Sequence, residues 1–190
     1  MSSVDELVAF LRRCVDEDEL WAKAASADRD GKTTVPGGVH WTWAVGEQWE
    51  PVEADPLQPY MGGYDGQWSN PVVLRTVEEW QLDWGGPNNK LPLKIAESEE
   101  LRTADGAHIA LHDPARVLRE VEATRRHIDQ YEAAVDIHGR AVSEYKQTRS
   151  QVKLLQVVKY DGKVQALRFV LLDDAAVFVD RPGFQETWKP

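Results

Sequence analysis

The chain has 190 residues, of which 42% are hydrophobic and 28% are charged, the balance of an ordinary globular protein. Its formal net charge is −10, and residues 1–100 carry 19 acidic against 8 basic side chains, whereas residues 101–190 are nearly balanced. This distribution repels a phosphate backbone, so the sequence disfavours a nucleic-acid-binding protein.

The sequence also bears on the cellular compartment. Cys14 is the one cysteine, which excludes a disulfide within the chain and favours a reducing environment. The N-terminal segment lacks the positive start and the long apolar stretch of a signal peptide. The apolar run FVLLDDAAVFV is broken by Asp173 and Asp174 and is too short to span a bilayer. We therefore expect a soluble, cytoplasmic protein that has no membrane partner.

Residues 1–26 are predicted to form a helix. Ser3 and Glu6 have the spacing of a capping box, and apolar side chains then recur at steps of three and four residues. The pattern brings Trp21 near the same face, and it makes Cys14 a small core side chain rather than a nucleophile. The stripe consists of Val4, Leu7, Val8, Leu11, Cys14 and Val15.

Residues 38–95 differ in character, because they hold six of the eight tryptophans among short extended runs broken by Gly and Pro. In VHWTWAV the alternation places Trp41 and Trp43 on one face of a strand, and PVVLRTVEEWQL predicts another strand. We expect a small antiparallel sheet with long loops. Two tryptophans on one strand face ordinarily form the core of such a sheet, but if exposed they would bind a sugar or a peptide.

Residues 107–190 are predicted to be mainly helical. Asp113 followed by Pro114 is a strong helix start, because the carboxylate accepts from free N–H groups and proline loses no needed donor. Side chains at alternating steps of four and three then make a narrow seam for a partner helix, with Gly139 as a weak point for a bend. The seam consists of Val117, Val121, Thr124, Ile128, Tyr131, Val135, His138, Val142 and Tyr145.

The segment KLLQVVKYDGKVQALRFVLL fits two structures. Its Asp161–Gly162 pair between apolar runs is a hairpin signal, whereas residues 164–179 place a stripe of side chains along one helical face. We favour the helix, and we expect Trp188 in the tail to pack back on the body. The helical stripe consists of Leu167, Val170, Leu171, Asp174, Val177 and Phe178.

Three segments resemble an actinobacterial, Streptomyces-type family that is catalogued only as a domain of unknown function. DELVAFLRRCVDEDE resembles its N-terminal helix, AHIALHDPARVLREVEATRRHID its central signature, and FVDRPGFQETWKP its closing motif. Together they cover about a third of the chain, and VPGGVHW stands where the family usually has a Pro-Gly-Pro-Trp turn. The resemblance implies no activity, because none is assigned to the family, and it favours helix over hairpin for the last region.

A candidate binding site lies at the start of the central helix. His108 and His112 are four residues apart, which would place both imidazoles on one helical face, and Asp113 adjoins them. A third ligand is not evident, so we expect neither a metal nor another cofactor. The structural alternative is that His108 packs beside Ile109 and buttresses the start of the helix.

A second hypothesis concerns two polar residues at positions that predict burial. Buried polar groups need partners, so His138 and Asp174 are expected to meet each other, or Asp174 to meet an arginine such as Arg125. Such a pair would set helix register rather than catalyse a reaction, so no catalytic residue is assigned. The acidic run at 16–19 lacks the pattern of a calcium loop and is interpreted as a solvated helix face.

These features predict an α+β protein with one domain, 1–190. An N-terminal helix, a small Trp-rich antiparallel sheet, a long central helix and a C-terminal helix would pack together. We expect a non-enzymatic interaction or accessory protein that meets an unknown protein partner through its acidic N-terminal half and any exposed tryptophans. The helical seam would serve a partner helix or a homodimer.

Two alternatives stay open, and with them the question whether the protein is an enzyme. The first is an enzyme or small-ligand-binding protein with a pocket between the sheet and the central helix, lined by His108, His112 and Asp113 beneath the tryptophans. The second is an acidic mimic of nucleic acid, against which the balanced charge of residues 101–190 argues.

Overall fold

The computed structural model describes residues 4–26, 40–45, 50–51, 72–81, 90–98 and 103–189. The predicted α+β class is confirmed, with helices beside a four-stranded antiparallel sheet. No helix in these ranges is both long and apolar enough to cross a membrane. The elements are α1 (Val4–Ala25), β1 (Trp41–Val45), β2 (Glu50–Pro51), β3 (Val72–Gln81), β4 (Lys90–Ser98), α2 (Thr103–Leu111), α3 (Pro114–Thr148), α4 (Gln151–Ala176) and a 3₁₀ turn (Glu186–Trp188).

Two compact units make up the chain. The first unit is Met1–Asp18 with Arg119–Pro190, and the second is Glu19–Leu118. The first is helical, whereas the second holds the sheet and α2. The prediction of one domain over residues 1–190 stays a prediction.

The core of the first unit joins α1, α3, α4 and the 3₁₀ turn. The apolar stripe predicted for α1 is buried from Leu7 onward, with Val4 half-buried, and Cys14 lies within it. Burial raises the pKa of the Cys14 thiol, which fits a packing role rather than a nucleophilic one. The core consists of Leu7, Val8, Phe10, Leu11, Cys14, Ile128, Leu171, Ala175 and Trp188.

Aromatic rings fasten the C-terminal segment to this core. The Phe10 ring lies 5.0 Å from the Trp188 ring and 5.9 Å from the Phe184 ring, centroid to centroid. Phe184 and Trp188 also meet edge to face. The expectation that Trp188 packs back on the body is confirmed.

α3 and α4 form an antiparallel hairpin in the first unit. Only residues 149–150 separate the two helices, and Glu144 near the end of α3 pairs with Lys153 near the start of α4, Oε2 to Nζ 2.5 Å. α3 is continuous through Gly139, and α4 is continuous through Asp161 and Gly162. The helix predicted for residues 164–179 is therefore confirmed over the hairpin alternative, although it begins earlier than predicted and ends at Ala176.

The sheet of the second unit has the strand order β2-β1-β3-β4, with antiparallel pairs throughout. Trp41 lies opposite Thr76 and Trp43 opposite Leu74, so both tryptophans share one face as predicted. α2 packs on this face, because Gly106 of α2 meets the Trp43 ring.

Trp21 departs from the expectation for α1. Its side chain is 67% exposed, whereas the neighbouring Ala22 is buried. An α-helix drifts by about 20° per seven residues relative to a strict heptad. The buried face therefore passes from Cys14 and Val15 to Ala22, and Trp21 is left in solvent.

Candidate functional site

The predicted histidine pair lies where α2 meets α3. His108 belongs to α2, and His112 lies in the turn before α3. Their rings are in edge-to-face contact, with centroids 4.6 Å apart, and both side chains are exposed. Within the described ranges, no three His, Cys, Asp or Glu side chains come together as a metal site would require.

Asp113 is buried and serves as the N-cap of α3. Its Oδ1 accepts a hydrogen bond from the Arg116 backbone N–H at 2.7 Å, and its carbonyl oxygen accepts from the Val117 N–H at 3.1 Å. The helix start predicted from Asp113 and Pro114 is thus confirmed. One carboxylate oxygen of Asp113 is already committed to the helix, which leaves His108 and His112 as the exposed part of the predicted site.

The two predicted platform tryptophans lie at different depths. Trp43 is 3% exposed, and a Cβ added at Gly106 would come within 2.8 Å of its Cε3. Trp41 is half-buried. The Trp43 ring is therefore a core side chain of the second unit, and Trp41 alone of the pair presents surface.

Asp174 has a different partner from the one predicted. Its Oδ2 lies 2.9 Å from Nδ1 of His127, and Arg125 instead pairs with Asp16, Nη2 to Oδ1 2.6 Å. His138 lies eleven residues beyond His127 on α3, about 16 Å along the helix axis at 1.5 Å per residue, which is out of reach.

The seam on α3 explains why sequence reasoning missed His127. Ile128 is buried as predicted, but Ala134 and Ala141 are buried as well, whereas Val135 is 39% exposed. Val121 and Ile128 follow the predicted heptad, and beyond Tyr131 the packed face is shifted from it by one residue. A repeat of seven from His127 leads to Ala134 and Ala141, but small alanines gave no apolar signal strong enough to reveal that face.

The acidic run on α1 is largely paired within the chain, with three basic side chains for four carboxylates. Each of its four carboxylates has a basic partner, and two of them share Arg181. Partial burial alone would lower the pKa of Arg181, but hydrogen bonds to Asp18 and Glu17 outweigh it and raise the pKa. The run is thus a set of partly exposed ion pairs, and the predicted solvated face holds for Asp16 and Glu17, which are 67% and 53% exposed. The pairs are Asp16–Arg125, Glu17–Arg181, Asp18–Arg181 and Glu19–Lys23.

A cleft of about 880 Å³ lies between α1 and α3 in the first unit. Nη2 of Arg12 donates to both carboxylate oxygens of Glu132 across it, at 2.9 and 2.8 Å, and burial raises the pKa of the Tyr131 hydroxyl on its wall. A ligand in the cleft would have to displace that ion pair. The lining residues are Asp5, Val8, Ala9, Arg12, Arg13, Asp16, Tyr131, Glu132, Val135 and Asp136.

Several large apolar side chains of α4 are exposed. Leu155, Val158 and Phe169 are 69%, 62% and 67% exposed, and with Gly162 and Gln165 they recur at alternating steps of three and four. We name these five residues the outer stripe. Leu154 and Val152 extend its apolar area at the start of the helix.

α4 carries a second, opposite stripe, which faces the core of the first unit. Along it Leu171 is buried, and the other members are half-buried. At 100° per residue the two stripes lie about 180° apart around the helix. Sequence reasoning found part of the inner stripe but missed the outer one. The inner stripe consists of Val157, Tyr160, Val164, Leu167 and Leu171.

Comparison with known proteins identifies a family but no activity. One family model, described as a family of unknown function (DUF6221), matches residues 4–190. No curated protein matches the chain, and no solved structure does. The resemblance to a family of unknown function is therefore confirmed, and its actinobacterial affiliation stays a prediction.

Proposed function

We propose that this chain, which belongs to the family of unknown function DUF6221, is a non-enzymatic interaction protein that meets its partner through the outer stripe of α4. The observation that carries the proposal is the exposure of Leu155, Val158 and Phe169 on one helical face. Burying a side chain of this size is worth about 1.5–3 kcal/mol relative to leaving it in water. Leu155 and Val158 lie one turn apart, with Val152 and Leu154 nearby, whereas Phe169 lies about 16 Å farther along the helix axis. Clustered exposed apolar side chains are typical of an interaction site, whereas isolated ones are ordinary surface.

The acidic contact surface expected from the sequence is less well supported than this apolar one. The four carboxylates at 16–19 are held in ion pairs with residues of their own chain. A partner would have to compete with those pairs, and the same competition disfavours an acidic mimic of nucleic acid. Trp21 remains the exposed aromatic of α1, and its neighbour Leu20 is exposed as well, but the two are adjacent residues that follow these paired carboxylates and do not repeat along the helix.

The alternative of a ligand pocket at the start of α3 receives less support. Asp113 caps the helix, and Trp43 is packed against Gly106. Neither side chain is thus presented to a ligand together with His108. An enzyme would instead need convergent groups in an accessible pocket.

Site-specific photo-cross-linking in living cells tests the proposal. A benzophenone amino acid replaces Phe169, and a control chain carries it at Gln130, an exposed position on α3. We expect irradiation to give one discrete adduct from position 169 and none from position 130. No adduct from position 169, or the same adducts from both positions, would contradict the proposal.

A further inference from the structure

We infer that the outer stripe of α4 binds the outer stripe of a second copy of this chain, with the two α4 helices antiparallel. The inference rests on the proposed function and names the partner. It concerns a different surface from the α3 seam predicted from the sequence, of which Val121 and Ile128 are already buried.

The repeat of the outer stripe is that of a coiled coil. Leu155, Val158, Gly162, Gln165 and Phe169 alternate by three and four residues, and Leu172, which is half-buried against the core of the first unit, stands at the next position of the pattern. This spacing keeps one face of a helix turned toward a partner helix over several turns. A helix of like spacing is therefore the occupant that fits, and the chain itself provides one.

Gly162 gives an independent reason to expect a helix against this face. Glycine in a helix interior costs about 1 kcal/mol relative to alanine. Among the described residues nothing demands it, because a Cβ added at Gly162 would meet none of their atoms within 4 Å. A glycine in the middle of the outer stripe would, however, allow the backbone of another helix to approach closely.

The sizes of the side chains favour the antiparallel orientation. Antiparallel layers pair Leu155 with Leu172, Val158 with Phe169 and Gly162 with Gln165 of the second copy, so small residues meet larger ones. A parallel pair would stack Phe169 on Phe169 and Gly162 on Gly162. The Phe169 layer would require a large distance between the helix axes and the Gly162 layer a small one. These two layers are only two helical turns apart, so close packing disfavours the parallel pair.

Charge complementarity supports the same register. Asp161 and Arg168 are exposed on one flank of the stripe, seven residues apart and so too distant to pair within one helix. In an antiparallel pair, a two-fold axis perpendicular to the helices brings this flank of one copy next to the same flank of the other copy. Asp161 then lies beside Arg168 of the second copy, and the symmetry makes the pair twice.

Sedimentation of the full chain over a concentration series tests the inference. A contact along six layers spans about 27 Å of helix, at the small end of specific interfaces, so we expect a reversible dimer with a micromolar Kd. Phe169→Glu should raise that Kd at least about tenfold, because it places a charge in a buried layer. A wild type that stays monomeric at several hundred micromolar would overturn the inference.

A charge exchange tests the orientation. Asp161→Arg and Arg168→Asp should each raise the Kd about threefold to tenfold, and the double variant should restore it, because exposed pairs contribute modestly but twice here. A parallel pair would instead place Arg168 beside Asp173 of the second copy. Rescue by Arg168→Asp with Asp173→Arg, and not by the first exchange, would overturn the antiparallel dimer.

Gly162→Ala and Gly139→Ala form a matched pair, since both glycines lie in helix interiors and a Cβ at either meets nothing within 4 Å. Both should raise the thermal stability of the monomer, but only Gly162→Ala should raise the Kd. Equal effects on the Kd would count against the inference. If the wild type is monomeric and position 169 gives a cross-linked adduct whose mass is not that of a dimer, the partner is not a second copy of this chain. That result would overturn this inference and support the proposed function.

Discussion

Nδ1 of His127 lies 2.9 Å from Oδ2 of Asp174, which joins α3 to α4 beside the core of the first unit. His127→Ala and Asp174→Ala should each lower the free energy of unfolding by about 0.5–1.5 kcal/mol, the range of one partly exposed hydrogen bond. The double variant should cost little more than either single one, because the two residues act as a pair. His138→Ala should change stability by less than about 0.5 kcal/mol. Urea unfolding measures all four variants, and a His138 effect as large as that of His127 would contradict the assignment.

Substitution by alanine should lower the stability of the protein at Gly106 and raise it at Gly139. A Cβ at Gly106 would come within 2.8 Å of Cε3 of buried Trp43, whereas a Cβ at Gly139 meets nothing within 4 Å. We expect Gly106→Ala to destabilise the protein by about 1–3 kcal/mol through overpacking. Gly139→Ala should stabilise it by up to about 1 kcal/mol. Thermal unfolding followed by tryptophan fluorescence distinguishes them, and a Gly106 variant with a raised Tm would show that the contact is absent.

Truncation of Trp188 to alanine should destabilise the protein much more than truncation of Trp21. Trp188 is buried against Phe10 in the core of the first unit, whereas Trp21 is largely exposed. Trp188→Ala should lower the free energy of unfolding by about 3–5 kcal/mol, because it opens a cavity. Trp21→Ala should change it by less than about 0.5 kcal/mol. Equal losses in denaturant titrations would mean that the two tryptophans are not placed as described.

Cys14 should react slowly with thiol reagents in the folded protein. Its side chain is buried, and desolvation raises the pKa of the thiol, which lowers the thiolate fraction at neutral pH. We expect an aromatic disulfide reagent to label it at least about a hundredfold faster in denaturant than in buffer. Complete labelling of the folded protein within seconds would contradict its place in the core.

Local sequence patterns predicted the helices and strands correctly where one clear periodicity or helix-start signal was present. The heptad-like stripe of α1, the alternation around Trp43 and the Asp113–Pro114 helix start each predicted the observed element. These patterns depend on the backbone of a single segment. Such patterns reveal the period and the ends of an element, but they do not reveal which neighbouring element each of its faces contacts.

The features that the sequence did not reveal depend on contacts between different elements. The partner of Asp174 is His127 rather than His138, and Ala134 and Ala141, which lie seven and fourteen residues beyond His127, are buried although such small residues give only a weak apolar signal. The outer stripe escaped notice for a related reason. α4 is apolar on two opposite faces, so the sequence pattern could not separate the side chains that the core buries from those that remain exposed.

Hydroxyl-radical footprinting of the wild-type chain across a concentration series tests the central claim most directly, because it reports the solvent access of single side chains. If the outer stripe is the contact between two copies, oxidation of Leu155 and Phe169 should fall several-fold as dimers form. Oxidation of Trp21, which is equally exposed but lies on α1, should stay constant. Oxidation of Leu155 and Phe169 at one unchanged rate over the whole series would contradict the account.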